Sequence, residues 1–248
     1  MIQIPALNLG FRIFFLGAGL FALAASIIWL LIYLLGWQLL STGYPPVVWH
    51  GHEMLFGYTL AVVVGFLLTA ARNWSGIQTI HGLPLGGLFL IWLLARVAPL
   101  TGLPGVTMGM VCDVLFCLLS TLCVAHPILL AKLWRNMGIV LLLFLLFIDN
   151  LIFYRGLSTG SDEIMNKSLT AGLWLLLTLV LVMGRRIIPM FIQNGVDESF
   201  QPKNRLWVDR ACLWGFMTFA LLDLLGVSPI VVSLAAALLF VLHFWRWL

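Results

Sequence analysis

Trp49-His50-Gly51-His52-Glu53 places two imidazoles and a carboxylate within five residues of sequence. Imidazole ligates haem iron and copper. A neighbouring carboxylate can orient a ligating ring from behind. On a regular helix, side chains two positions apart point ~200° apart. His50 and His52 therefore cannot share one metal unless the backbone there is non-helical. They can serve two centres, or one can ligate while the other moves protons. An H-x-H pair is a weak motif alone; Glu53 beside it strengthens the metal-ligand reading.

Other groups able to do chemistry lie along the chain. Arg96, Asp113, Asp149, Asn150 and Asp223 all fall inside apolar runs. Ionisable side chains in such runs are costly and mark functional sites by default. Two readings follow. They surround an aqueous or cofactor-filled pocket, or Arg96 pairs with an aspartate and joins helices. A second polar group comprises Arg72-Asn73-Trp74, Gly184-Arg185-Arg186-Ile187-Ile188-Pro189 and Asn194. Arginine holds carboxylates such as haem propionates by paired hydrogen bonds. It equally anchors helix ends at a membrane surface. His126 and His243 read as hydrogen-bonders between helices, and His81 as a solvated loop residue. Cys112, Cys117, Cys123 and Cys212 lie in apolar runs without a C-x-x-C pair, and read as small buried hydrophobes.

The elements that must position these groups are membrane helices. The chain is 62% hydrophobic and 9% charged, against about 25% charged in soluble domains. Its apolar runs are long and continuous, which suits spanning helices of ~20 residues and excludes alternating barrel strands. The first run is too long to be a cleaved signal segment. The spacing predicts an all-α, polytopic transmembrane bundle of about eight helices, over 13–35, 52–71, 84–101, 106–131, 136–155, 167–193, 209–225 and 229–247. The whole chain, 1–248, is expected to form one transmembrane domain. Pro45-Pro46, Gly82-Leu83-Pro84 and Gly102-Leu103-Pro104-Gly105 punctuate the connections. These bounds put His50, His52 and Glu53 at the outer mouth of the second helix. Gly57, Ala61, Gly65 and Thr69 recur every four residues along that helix. Such a stripe admits a second helix at close range, or a flat porphyrin against the backbone.

Orientation follows from the basic residues. With the N-terminus on one side, that side carries Arg12, Arg72, Lys132, Arg135, Arg185, Arg186, Lys203, Arg205, Arg210 and Arg246, whereas the other carries Arg96, Arg155 and Lys167. The richer side is cytoplasmic by the positive-inside rule, so both termini are predicted inside. The net charge of +4 follows from this asymmetry and calls for no nucleic-acid partner. The partner implied is the lipid bilayer.

Four segments resemble one family. Phe11-Arg12-Ile13-Phe14-Phe15-Leu16 is similar to the FRPFFL-type element of the NnrS family of bacterial membrane proteins, with Ile13 where the family tends to have Pro. Trp49 to Tyr58, WHGHEMLFGY, resembles its WHxHEMLFGF signature. Gly65-Phe66-Leu67-Leu68-Thr69-Ala70 with Asn73-Trp74-Ser75-Gly76 resembles GFLLTA…NWTG, and Gly184 to Phe191 with Asn194 resembles GRRxIPxFxxN. The resemblance implies a multi-pass protein of the bacterial inner membrane that carries haem and copper. It implies a role in resistance to nitric oxide or in denitrification-linked metabolism, with nitric oxide as a small-molecule ligand. It singles out His50 and His52 as metal ligands with Glu53 beside them, and gives weight to Arg72, Asn73, Arg185, Arg186 and Asn194. Family members usually continue through further helices, so the chain is expected to be a shortened member. The competing expectation is a transporter or channel lined by intramembrane Asp and Arg. Whether the chain is an enzyme, forms a homo-oligomer or takes electrons from a donor is not set by these residues.

A reporter fused after Leu248 tests the orientation. Cytoplasmic activity is the expected outcome, and a periplasmic signal would mean a miscounted helix or an inverted assignment.

Overall fold

The computed structural model describes residues 5–37, 44–195 and 206–247. These residues form eight helices and no strand. They are α1 (Gly10–Leu35), α2 (Pro46–Ser75), α3 (Leu83–Thr101, its last turn 3-10), α4 (Leu103–Leu130), α5 (Met137–Thr159), α6 (Asp162–Gly195), α7 (Leu206–Leu224) and α8 (Pro229–Trp247). Six of them, α1 to α6, are long and apolar enough to cross a bilayer. In α7, Asp209, Arg210 and Asp223 interrupt the apolar run.

The expected helices are present, with shifted ends. The largest shift is in α2, which begins at Pro46 rather than near His52. Proline is tolerated in a first turn because the missing N–H has no helical partner there. The His50–Glu53 segment is therefore helical and lies within the helix, not at its mouth. The same helix closes at Gly76, whose φ of +70° favours glycine and whose N–H donates to Arg72 O at 2.9 Å.

Between its two α-helical parts, α2 widens into a π-helical stretch over Glu53–Thr59. Thr59 Oγ1 donates to Met54 O at 2.7 Å inside it. Stretches of this kind are uncommon and often sit at functional sites.

The backbone packs as two compact units, Met1–Gly172 and Leu173–Leu248, with the boundary inside α6. In the first unit, α1 shows why the chain needs lipid as a solvent. Phe14, Ala18 and Ala25 are fully buried, while Leu16, Leu20, Leu23, Leu30 and Leu34 on the same helix are exposed. An apolar outer face of this size is stable against hydrocarbon.

The small-residue stripe of α2 packs protein against protein. A methyl group on Gly65 would lie 2.8 Å from Phe14 Cβ and 3.3 Å from Gly10 O. Thr69 Oγ1 accepts the N–H of Phe11 at 3.3 Å and donates to Gly65 O at 3.1 Å. The space that a porphyrin would need along Gly65 is filled by α1. Above this contact, Phe14, Phe89, Trp92 and Phe116 form an aromatic layer with ring centroids 5.2–6.4 Å apart.

In the second unit, Trp174 of α6 donates to Asp223 Oδ2 of α7 at 2.9 Å. Its ring meets Phe216 and Phe219 edge-on. Gly215 leaves room for Leu239 of α8, which a methyl group there would meet at 2.8 Å.

Replacing Gly65 by Leu forces α1 off α2 and should cost about 1–3 kcal/mol, the usual range for overpacking. Gly87→Leu, at a helical glycine with nothing within 4 Å, should leave stability unchanged. Melting temperatures of the two variants in the same detergent check this; equal values would show that the α1–α2 approach carries no weight.

A candidate functional site at a buried ion-paired cluster

The site is built on four helices of the first unit. Arg96 stands in the last α-helical turn of α3 and is 3% exposed. A guanidinium keeps its charge in almost any environment, so it needs anionic partners when buried. It has two. Arg96 Nη1 donates to Glu53 Oε2 at 2.5 Å, and Nη2 donates to Asp113 Oδ1. Glu53 comes from the start of the π-helical stretch of α2 and Asp113 from α4.

Asp113 is satisfied from three sides. Its Oδ2 accepts from Asn150 Nδ2 and from the Tyr154 hydroxyl, each at 3.0 Å. Asn150 and Tyr154 are one helical turn apart on α5 and share a face. Because the Asn150 amide nitrogen is committed to Asp113, its Oδ1 is left as an acceptor. It lies 2.9 Å from His52 Nε2, so that ring nitrogen carries the hydrogen. His52 Nδ1 then faces Glu53 Oε1 at 3.6 Å. Phe153 and Phe56 stack against the His52 ring at centroid distances of 4.2 and 5.0 Å.

Glycine makes the ion pair possible. A methyl group on Gly57 would lie 2.6 Å from Glu53 Oε2 and 2.8 Å from Arg96 Nη1. The pair therefore lies directly on the backbone of α2. Gly57 O also accepts from Trp92 Nε1 at 2.9 Å, which fixes α3 at the same level.

The two histidines of the motif part company. His52 is fully buried in the cluster. His50 is only partly buried and faces α1, where its ring stacks on Trp29 at 4.6 Å. Its Nδ1 is buried without a hydrogen-bond partner. The ~200° divergence of alternate helical positions accounts for the separation. Among the described residues no group of three or more His, Cys, Asp or Glu is arranged to hold a metal ion.

The remaining sequence-derived candidates lie elsewhere. Arg72 and Asn73 are exposed in the last turns of α2. Arg185 and Arg186 are partly buried on α6 in the second unit, and Asn194 is exposed near its end. Arg185 lines a small cavity with Asp209 and Cys212 of α7 and His243 of α8. Lys203 and Arg205, counted for orientation, lie outside the described residues. Tyr154, Trp29 and Tyr44, whose ring lies 6.5 Å from that of His52, were not legible as site residues. Tyr154 had one signal, its four-residue spacing from Asn150; Trp29 and Tyr44 had none, because nothing local in sequence relates them to His50 or His52.

A family model described as NnrS protein matches residues 5–248. The chain belongs to the NnrS family. Neither a curated protein nor a solved structure matches it. Two of the four family-like segments meet in the first unit at the α1–α2 contact: Phe11 of the first donates to Thr69 of the third. The WHGHE segment is the one that supplies the ion-paired cluster.

A haem or copper ion makes different demands on the two histidines. His52 has Nε2 bound to Asn150 and both faces covered by phenyl rings, so a metal could reach only its Nδ1, which has no hydrogen-bond partner and already faces Glu53 Oε1 at 3.6 Å. His50 presents a nitrogen that no protein group uses, and its ring is held in place by Trp29. It fits as one donor of a set.

Arg96→Met should leave Glu53 and Asp113 as buried, unpaired negative charges and cost about 3–5 kcal/mol, the usual cost of breaking a buried pair. Adding Glu53→Gln and Asp113→Asn should restore part of that loss. Thermal unfolding in detergent reads both. An Arg96→Met protein as stable as wild type would show that the cluster does not hold the helices together.

Proposed function

We propose that this NnrS-family chain is a haem- and copper-binding protein of the bacterial inner membrane that serves resistance to nitric oxide or denitrification-linked metabolism. Family membership over residues 5–248 carries the reading. What supports it locally is the donor left at His50, whose Nδ1 has no protein partner although it is buried. A buried polar atom without a partner costs stability, so a native protein retains one where something else satisfies it.

In this reading His50 is a metal-ligand donor. His52, two residues on, is a positioning residue that locks the same stretch of α2 through Asn150. Glu53 ties that stretch to α3 through Arg96. The family's arginines, Arg72 and Arg185 with Arg186, are cationic groups suited to carboxylates such as haem propionates. When bound, haem iron supplies a site that takes nitric oxide as a ligand, and copper supplies a one-electron centre. The protein's own part is to present the imidazole and exclude water around it with Trp29 and Trp49.

The alternative, a charged path for transport, has less support. Arg96 and Asp113 neutralise each other directly and are closed off by Tyr154 and Asn150. A path needs such groups facing water.

An absorption spectrum of the purified chain, oxidised and reduced, with metal analysis of the same sample, tests the proposal. A Soret band that shifts on reduction and again with nitric oxide is expected. His50→Ala should lower haem or copper content at least several-fold with folding intact. His52→Gln should reduce the melting temperature and leave the metal content per folded protein close to wild type. A featureless spectrum from folded, haem-replete protein would overturn the cofactor assignment.

A further inference from the structure

Asp149 stands one residue before Asn150 on α5, yet it takes no part in the ion-paired cluster. It is 6% exposed, and no ion pair joins it to a described residue. Its surroundings are apolar. Oδ2 has no hydrogen-bond partner. It faces the bare backbone of Gly172 and the ring of Phe56, since a methyl group on Gly172 would lie 2.9 Å from Oδ2 and 3.1 Å from Phe56 Cζ. The titratable groups within electrostatic reach of it are His52 from α2 and Cys117 from α4. Packed α6 presents a neutral hydroxyl, Ser168.

Ser168 supplies the decisive geometry. Its Oγ lies 2.9 Å from Asp149 Oδ1 and also 2.9 Å from the backbone carbonyl oxygen of Asp149. Both are acceptors if the carboxyl is ionised, and a serine hydroxyl has one hydrogen. One of two close oxygen–oxygen contacts would then lack a proton. A proton on Oδ1 resolves this. Oδ1–H donates to Ser168 Oγ, and Ser168 Oγ–H donates to the carbonyl. Only a neutral C=O then remains bare against Gly172 and Phe56, which costs far less than a bare carboxylate oxygen.

We propose that Asp149 is a proton-binding site of the bundle, held as the neutral carboxylic acid and donating its proton to Ser168. This inference is independent of the cofactor assignment, because neither Asp149 nor Ser168 is a metal-ligand candidate.

Infrared spectroscopy of the full chain in lipid nanodiscs at neutral pH tests it, using protein labelled with carbon-13 in the aspartate carboxyl. The expected result is a carbonyl-stretch band of a protonated carboxyl that moves with the isotope and with exchange into D2O. Asp149→Asn should abolish that band, and the exposed Glu163→Gln should leave it unchanged. In Ser168→Ala, which removes only the hydrogen-bond partner, the band should persist and move to higher frequency. Absence of the band in labelled wild type would overturn the proposal, as would its survival in Asp149→Asn. If Asp149→Asn does not fold, wild type and Ser168→Ala decide alone: a band indifferent to loss of the hydroxyl is not that of Asp149.

Discussion

A guanidinium buried among apolar helices must find negative charge, and Arg96 finds it on two other helices at once. Burial of an ion is costly unless the geometry is close and the remaining polar atoms are bonded. Here the requirement propagates. Glu53 has to reach Arg96, so α2 must pass close beneath it, and only a glycine at position 57 leaves room. Asp113 has to reach it from α4, and its second oxygen then needs donors, which α5 supplies through Asn150 and Tyr154. Asn150, with its nitrogen used, turns its oxygen to His52. One buried cation thus sets the mutual positions of α2, α3, α4 and α5.

Hydrophobic burial cannot do this alone. Leucine is as comfortable against lipid as against another helix, so apolar area gives little direction to helix association in a bilayer. Direction comes from close backbone contacts and from polar bonds. The first unit has both, at separate levels along α2. At Gly65 and Thr69 the backbones of α1 and α2 approach closely. At Gly57 the ion pair crosses the same helix. The π-helical stretch begins at Glu53 and includes Gly57, so it carries both the carboxylate and the backbone on which the ion pair lies.

The consequence for chemistry is a division of labour within WHGHE. His52 stiffens the segment through its bond to Asn150 and the two phenyl rings stacked on it. His50 keeps a buried nitrogen without a hydrogen-bond partner, on a ring stacked against Trp29. A ligand donor is useful when its own backbone does not move, and the cluster behind it supplies that rigidity. Asp149, adjacent in sequence to Asn150 but bonded only to Ser168, is a neutral counterpart to the charged group beside it.

By itself the sequence determined the solvent, the secondary structure and the family. Apolar runs of membrane length with few charges leave helices as the economical answer, because hydrocarbon cannot satisfy backbone groups. Pro and Gly at the run ends placed most helix limits within a few residues. The start of α2 escaped because Pro46 looks like a breaker, whereas in a first turn it is compatible with the helix that follows. The polar residues inside the runs also marked themselves, since Glu53, Arg96, Asp113 and Asn150 are too costly there to be incidental. Only the tertiary structure decided how they pair. Nothing local relates residue 53 to residue 96 or 113, and the choice between a wet pocket and a closed ion pair depends on distances of a few ångströms between helices. The same holds for His50 and His52. Helical periodicity said that they diverge, but which one meets Trp29 and which meets Asn150 depends on the neighbours that packing brings to each face.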